Sequence, residues 1–274
     1  MITTPNVKIN LGLNVLRRRP DGYHDLETLF VPYKGIHDTL EIIDGDSWSE
    51  TSASLISRYG NLSQAISPDG KVMISIAKAG GVGWEPLTDL TVKAYQMLTA
   101  DYKLPPVKIY LEKTSPVGAG LGGGSADGAF ALRMLSEIAG LGLSDDTLAA
   151  YASRLGSDCA FFIYNRPMFG RGRGEILTPW ESPVPDNITV TVPDGIAVST
   201  ADAYRGIIPG IPPLPLREVL QLPVSQWKEL LHNDFETTVF AKYPALADIK
   251  ASLYEKGATY AAMSGSGSAL FSIN

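Results

Sequence analysis

Eleven consecutive residues, Pro116–Ala126, contain five glycines and lie between two segments of different periodicity. Residues 107–111 are apolar and strand-like, whereas residues 127–138 have the spacing of an amphipathic helix. Glycine permits positive φ and lets an anion approach the bare N–H groups at the start of a helix. The segment therefore predicts a strand, a phosphate-binding loop and a helix in that order.

Other functions of this loop have to be weighed. Gly118, Gly120 and Gly123 spell G-x-G-x-x-G, which also occurs in dinucleotide-binding folds. Such a fold needs an acidic residue at the tip of the next strand, but the pair Asp145-Asp146 fits a helix cap instead. No Lys-Ser or Lys-Thr follows the glycines, as a Walker loop requires. A tight turn that only packs a helix on a strand is the remaining alternative, although it needs fewer glycines.

Composition limits the class of protein and its partners. The net charge of −6 argues against a nucleic-acid binder, which would carry a basic stripe. The only cysteine, Cys159, excludes an internal disulfide and fits a reducing compartment. The first residues do not resemble a signal peptide, and no apolar run reaches the roughly 18 residues of a membrane span. We therefore expect a cytoplasmic protein that binds neither nucleic acid nor membrane.

The order of predicted elements indicates an α+β protein in two lobes. A proline-rich stretch at 208–223 predicts a loop or hinge, and no structure is predicted for most of 44–83. A boundary near residue 150 predicts domains at 1–150 and 151–274. Strands are predicted at 7–16, 26–33, 39–43, 72–76, 107–111, 161–164, 188–192, 260–263 and 269–273. Helices are predicted at 89–102 with Thr88 as N-cap, at 127–138, at 144–155, from Asp234, and at 244–257.

Several polar residues are candidates for chemistry. Lys8 and Asn10 lie two positions apart on a predicted strand and so share one face, which could equally be an exposed edge. Tyr23 and His24 follow a predicted turn and could either bind a ligand or cover the core. Asp158 stands between small and apolar residues, which suggests partial burial and the need for a cation such as Lys8.

Together these segments resemble a known superfamily. Pro116–Ala126 resembles the phosphate loop of the galactokinase, homoserine kinase, mevalonate kinase and phosphomevalonate kinase (GHMP) superfamily, and Met263–Gly267 resembles its C-terminal glycine motif. Lys8–Leu11 and Arg19–His24 are similar to the branch that phosphorylates a cytidine diphospho-sugar-alcohol for isoprenoid synthesis by the non-mevalonate route. The resemblance implies a two-lobed GHMP kinase fold. Its N-terminal lobe is β-rich, with the glycine loop before a helix, and its C-terminal lobe is a ferredoxin-like α/β lobe.

The resemblance also implies an activity and a set of site residues. The reaction would move the γ-phosphoryl group of ATP to the 2-hydroxyl of the sugar alcohol. Asp158 would be the catalytic acid/base with Lys8 as its cationic neighbour, while Asn10, Tyr23 and His24 would bind the substrate. ATP would bring Mg²⁺, for which the sequence shows no obvious protein cage and the Ser125 hydroxyl is one candidate ligand, and the enzyme would be a monomer or weak homodimer. The residues that would wrap the triphosphate are Pro116, Val117, Gly118, Ala119, Gly120, Leu121, Gly122, Gly123, Gly124, Ser125 and Ala126.

Two further functions stay open at this point. The first is a kinase of the same superfamily that acts on mevalonate, phosphomevalonate or homoserine, against which Asp21–His24 argues. The second is a relative that binds nucleotide without turnover, against which the presence of both Lys8 and Asp158 argues.

Overall fold

The computed structural model describes residues 1–274 as twelve strands and ten α-helices. The strands are β1 (Ile2–Thr3), β2 (Asn6–Arg18), β3 (His24–His37), β4 (Thr39–Asp44), β5 (Ser63–Ile66), β6 (Val72–Ala77), β7 (Val107–Glu112), β8 (Met168–Gly172), β9 (Ile176–Pro179), β10 (Ile188–Thr191), β11 (Tyr260–Met263) and β12 (Leu270–Ile273). The helices are α1 (Ser52–Tyr59), α2 (Leu90–Thr99), α3 (Gly123–Ile138), α4 (Asp145–Leu155), α5 (Cys159–Tyr164), α6 (Thr200–Tyr204), α7 (Leu216–Val219), α8 (Trp227–Leu230), α9 (Phe235–Lys242) and α10 (Pro244–Glu255).

The chain forms two compact units, each assembled from separate stretches of sequence. We call the first the α3 unit; it comprises Met1–Val7, Tyr33–Val117 and Gly122–Asn165. The second, the β2 unit, comprises Lys8–Pro32, Gly118–Leu121 and Arg166–Asn274. The linear division into domains 1–150 and 151–274 stays a prediction.

The α3 unit contains a five-stranded mixed sheet in the order β1-β4-β7-β6-β5. The central strand β7 pairs antiparallel with β4 and parallel with β6. Its inward residue Ile109 is fully buried, as are Leu132 and Leu135 of α3. A dinucleotide-binding fold would need a parallel, doubly wound sheet. The antiparallel β4–β7 pair therefore removes that alternative for the glycine loop.

Helix starts in the α3 unit depend on local capping. Helix α4 begins as predicted, because the Ser144 side chain accepts a hydrogen bond from the Thr147 amide at 3.2 Å. The Thr88 cap predicted for α2 is wrong. The side chain of Asp89 caps α2 instead, accepting from the Thr91 amide at 3.0 Å, and Thr88 ends a short 3₁₀ turn.

The strand predicted at 161–164 is wrong, since Cys159–Tyr164 forms helix α5. Residues 159–163 are all buried, so the segment has no polar face whose period could distinguish a strand from a helix. The mostly unassigned stretch 44–83 also contains regular structure. It holds helix α1 and the antiparallel hairpin β5–β6, in addition to the predicted strand at 72–76.

The β2 unit contains two sheets, in the orders β2-β3-β8-β9 and β10-β12-β11. In the second sheet β12 pairs antiparallel with β10 and β11, which confirms the strands predicted at the C-terminus. Helices α9 and α10 were also predicted, and α9 begins after Asp234. The proline-rich stretch is not wholly irregular, because Leu216–Val219 forms a helical turn.

Candidate active site

The backbone amides in the first turn of α3 have no carbonyl partners within the helix. Gly122 has a φ of 75° and is the N-cap residue of the helix. As a glycine it has no side chain that could accept a hydrogen bond from the amides of the first turn. A Cβ placed on Gly124 would meet nothing within 4 Å, so the surface beside it is open. The predicted helix start at Asp127 is four residues too late, since α3 begins at Gly123. The amides of the glycine segment therefore belong to the helix terminus itself, where the helix dipole favours an anion.

The middle of the glycine loop contacts the second glycine segment within the β2 unit. A Cβ on Gly120, whose φ is 75°, would collide with the Ser264 carbonyl and lie 2.9 Å from the Gly267 amide. The Ala269 amide donates to the Ala119 carbonyl at 3.1 Å. Only glycine fits this close approach at position 120. The two glycine motifs predicted from sequence are thus brought together.

Lys8 and Asn10 lie against the same part of the loop. Lys8 is 3% exposed, and its Nζ donates to Asn10 Oδ1 at 2.7 Å and to the Gly120 carbonyl at 2.8 Å. Asn10 Nδ2 donates in turn to Thr28 Oγ1 at 3.0 Å. The exposed-edge interpretation of Lys8 and Asn10 is therefore wrong. The hydrogen bonds fix a buried ammonium and an amide beside the loop.

Asp158 lies in the α3 unit, at the turn before α5. It is half-buried and does not cap the helix. The turn packs near the first turn of α3, because a Cβ on Gly156 would lie 3.9 Å from Ser125 Oγ. Burial raises the pKa of the adjacent Cys159 thiol to about 12, so this cysteine is not a thiolate at neutral pH. Asp158 is the carboxylate of this turn.

In the β2 unit His24 is the first residue of β3, and Tyr23 directly precedes it. The Tyr23 ring is 56% exposed, and the Arg173 guanidinium lies 4.9 Å from its centroid. His24 stacks on Tyr204 with centroids 4.8 Å apart. Burial, together with the nearby charge of Arg18, lowers the pKa of His24, so the neutral imidazole predominates at pH 7. Tyr23 is thus an accessible aromatic side chain, whereas His24 is partly buried and oriented by Tyr204.

A buried ion cluster in the α3 unit was not predicted. Lys113 follows β7, and its Nζ donates to Asp38 Oδ2 at 2.5 Å and to Asp127 Oδ2 at 2.6 Å. Burial would lower the pKa of Lys113, but Asp127 and Asp38 together raise it. Burial would raise the pKa of Asp38, but Lys113 and the donors of Ser115 lower it. Burial, only partly offset by Lys113, raises the pKa of Asp127 well above its usual range.

One signal in the sequence could have found this cluster. A lysine directly after an apolar strand and three residues before a glycine loop is well placed to lie beneath that loop. Its partner Asp38 is 75 residues away, and such a pairing depends on the sheet order. Arg173 and Tyr204 were missed for the same reason, because their contacts with Tyr23 and His24 come from tertiary structure.

Two known protein families match two separate segments of the chain. The family described as GHMP kinases N terminal domain matches residues 89–166, which include the glycine loop and Asp158. The family described as GHMP kinases C terminal matches residues 218–273, which include the second glycine segment.

Full-length relatives narrow the match. The chain is 46% identical to a 4-diphosphocytidyl-2-C-methyl-D-erythritol kinase of Bacteroides fragilis, over 100% of this chain and 92% of the relative. It is 42% identical to the kinase of the same name from Parabacteroides distasonis, over 100% of this chain and 91% of the relative. The chain belongs to the 4-diphosphocytidyl-2-C-methyl-D-erythritol kinase family. It is thus an ATP-using phosphotransferase, as the resemblance implied.

Solved structures agree with this family and fold. A crystal structure of a 4-(cytidine 5'-diphospho)-2C-methyl-D-erythritol kinase matches with a TM-score of 0.76 and 32% identity, covering 100% of this chain and 90% of that one. A homoserine kinase from Cytophaga hutchinsonii matches with a TM-score of 0.59 and 18% identity, covering 97% of this chain and 84% of that one. The second match shows the GHMP kinase fold alone. The predicted two-lobed α+β GHMP fold is confirmed.

Proposed function

We propose that the chain transfers the γ-phosphoryl group of ATP to the 2-hydroxyl of 4-diphosphocytidyl-2-C-methyl-D-erythritol, in the non-mevalonate route to isoprenoids. The observation that carries this proposal is the match along the whole chain to kinases named for that substrate. The glycine loop at the start of α3 supplies the anion-binding amides that such a reaction needs.

Residues 116–126 are proposed to wrap the ATP triphosphate. The open surface beside Gly124 supports this role, as does the close packing of Gly120 on the second glycine segment. Lys8, whose Nζ donates to the Gly120 carbonyl of this loop at 2.8 Å, is the proposed cation for the γ-phosphoryl group. Lys8 would then offset the negative charge that develops on the transferring group.

Asp158 is proposed to receive the proton of the attacking hydroxyl. Phosphoryl transfer passes through a loose transition state, in which the nucleophile needs little activation and much positioning. An ordinary aspartate, with a pKa of about 3.9, is a weak base towards an alcohol. Asp158 would therefore mainly orient the hydroxyl and accept its proton late in the reaction. Asn10, held between Lys8 and Thr28, would contact the substrate near the transferred phosphate.

Tyr23 and His24 are proposed to hold the cytidine. Their support is the exposed Tyr23 ring and a His24 ring already oriented by Tyr204. An exposed aromatic face can stack on a base, and a neutral imidazole can both donate to and accept from the base edge. The substrate end would thus recognise a pyrimidine by ring stacking and by hydrogen bonds to the imidazole.

Mg²⁺ is proposed to arrive as the ATP complex. No group of three or more His, Cys, Asp or Glu side chains in residues 1–274 could hold a metal ion, so the protein offers no cage of its own. Mg²⁺ often keeps its waters and binds mainly through substrate phosphates. When bound it neutralises charge on the triphosphate. None of the roles proposed for the side chains requires a protein ligand to the ion.

The location and assembly of the enzyme are also proposals. None of the ten helices combines the length and apolar character that a bilayer crossing demands. We propose a cytoplasmic enzyme, on the composition discussed above, that works as a monomer or weak homodimer.

One assay tests the proposed reaction. The purified chain is incubated with ATP, Mg²⁺ and 4-diphosphocytidyl-2-C-methyl-D-erythritol, and ADP formation is followed. Mevalonate, phosphomevalonate and homoserine serve as competing acceptors in parallel reactions. Turnover with the cytidine substrate alone is expected. Preference for another acceptor, or ATP binding without ADP formation, would contradict the proposal.

A further inference from the structure

A single buried ammonium lies between the two ends of the phosphate loop. The Lys113 cluster, defined as Asp38, Lys113, Ser115 and Asp127, lies wholly within the α3 unit. Lys113 is 6% exposed, Asp38 0% and Asp127 1%. The cluster is thus sealed from solvent directly beneath the start of α3.

Asp38 fixes the end of the loop that leaves β7. Its Oδ1 accepts from the backbone amides of Thr114 and Ser115, both at 2.7 Å. Its Oδ2 accepts from Ser115 Oγ at 2.6 Å and from Lys113 Nζ at 2.5 Å. Four donors on one carboxylate leave the residues before Pro116 little freedom.

Lys113 and Ser115 fix the other end, where the loop enters α3. A Cβ on Gly123 would lie 3.1 Å from Lys113 Nζ and would collide with Ser115 Oγ. The first residue of α3 therefore packs directly on the ammonium and the hydroxyl. One turn later Asp127 accepts from the same ammonium at 2.6 Å. Lys113 thereby joins β7 to the first two turns of the helix.

Stability alone is a weak reason for such a cluster. One ammonium serves two carboxylates, and Asp127 Oδ1 is buried without a hydrogen-bond partner. Moving charges out of water is costly, and apolar residues of similar size often replace buried ion pairs without loss of stability. Anion binding by bare amides instead requires that those amides keep one shape. The cluster is suited to hold that shape.

We propose that Lys113 is a positioning residue for ATP: its ammonium, anchored by Asp38, sets the path of the phosphate loop and the position of the α3 amides. The inference rests on the proposed binding of the triphosphate at this loop. Lys113 acts through the backbone of Gly123 and Ser115 and does not touch the reacting atoms.

The primary test replaces Lys113 with methionine, which keeps the chain length and removes the charge. The KM for ATP is expected to rise about 10-fold or more, because small misplacements of binding groups weaken recognition strongly. The KM for the cytidine substrate and the kcat at saturating ATP are expected to change about 3-fold or less, since the reacting groups lie elsewhere. Lys113→Arg, which retains the charge, is expected to lie between Lys113→Met and the unaltered chain.

A neighbouring ion pair supplies a matched control. Glu112 is the last residue of β7, directly before Lys113, and pairs with Arg58 at 2.5 Å, while the Tyr59 hydroxyl donates to the same carboxylate at 2.9 Å. Glu112→Gln breaks this pair in the same strand. It is expected to lower the melting temperature while leaving the KM for ATP unchanged. If Glu112→Gln raises the KM for ATP as much as Lys113→Met does, then any weakening of β7 impairs ATP binding. That result would overturn the inference.

A double variant separates positioning from structure. In Lys113→Met/Asp127→Leu the Asp127 carboxylate is removed with the ammonium, and Asp38 keeps its three donors from Thr114 and Ser115, so the fold is expected to regain part of the stability lost in Lys113→Met. The KM for ATP is expected to stay raised, because Gly123 and Ser115 still lack their anchor. Recovery of the KM together with stability would overturn the inference, as would failure of the double variant to fold. If the unaltered chain itself neither binds nor turns over ATP, the proposed function fails instead.

Discussion

The proposed phosphate end at the start of α3 and the proposed cytidine end at the start of β3 are built in opposite ways. At the start of α3, bare backbone amides rest on a buried cluster in which Asp38 alone accepts four hydrogen bonds. At the start of β3, Tyr23 is more than half exposed and contacts Arg173, whose own side chain is 40% exposed. One region is fixed from beneath, whereas the other is held at the surface by ring contacts.

This difference follows from what each region has to recognise. Backbone amides have no side-chain freedom with which to adjust, so their positions must be set by the fold before a phosphate arrives. A base presents a flat face, which an exposed ring can meet in several orientations. Changes at the phosphate end should therefore affect both stability and ATP binding. Changes at the cytidine end should affect substrate binding alone.

The largest effect is expected at Asp158, whose proposed role is in the phosphoryl transfer itself and not in binding at either end. Asp158→Ala should lower kcat by at least about 10²-fold, because it removes the group proposed to orient the hydroxyl and accept its proton. The side chain does not cap α5, so the fold should be retained. Steady-state kinetics and circular dichroism check both points. Near-normal turnover in a folded variant would remove Asp158 from the mechanism.

The next largest effect is expected at Gly123, and it should differ from the effect at the adjacent Gly124. Gly123→Ala would push a methyl group onto Ser115 and Lys113, and overpacking of this kind costs about 1–3 kcal/mol of stability. If the displaced loop weakens the binding free energy of ATP by about 1.8 kcal/mol, the KM for ATP rises about 20-fold. The variant should therefore lose thermal stability and ATP affinity together.

Gly124→Ala is the matched control, since its Cβ would meet nothing within 4 Å. Alanine within a helix is favoured over glycine by roughly 0.8–1 kcal/mol, so the melting temperature should not fall. If phosphate occupies the open surface, the KM for ATP should still rise. Equal loss of stability in both variants would contradict the idea that the loop is fixed through Gly123.

The same contrast explains what could be predicted from the sequence. The glycine loop, the α3 helix and the paired motif at 263–267 are local patterns, and the structure contains all three, although α3 begins four residues before its predicted start. The helical state of 159–164 could not be predicted, because a segment buried on every side shows no period. The Lys113 cluster could not be predicted either, since Asp38 reaches Lys113 only through the order of strands in the sheet.

A smaller, selective effect is expected at Tyr23 and His24. Removing a stacked aromatic ring costs about 1–3 kcal/mol per base, so Tyr23→Ala should raise the KM for the cytidine substrate about 10-fold or more. Tyr23→Phe keeps the ring and should change this KM little. His24→Ala should also mainly raise the KM for the cytidine substrate. In all three variants the KM for ATP should be unaltered, and a defect confined to ATP would overturn the assignment.

The smallest effect is expected in the pH dependence of the KM for the cytidine substrate, which should involve the cytidine end alone. Because burial lowers the pKa of His24 below its ordinary value of 6.5, the imidazole is neutral at pH 7 and gains a proton only below about pH 6.5. Protonation removes the ring nitrogen that accepts a hydrogen bond from the base. With ATP saturating, the KM for the cytidine substrate should be constant from pH 8 down to about pH 6.5 and rise below it. His24→Ala should abolish this rise, and its persistence in that variant would assign the titration to another group.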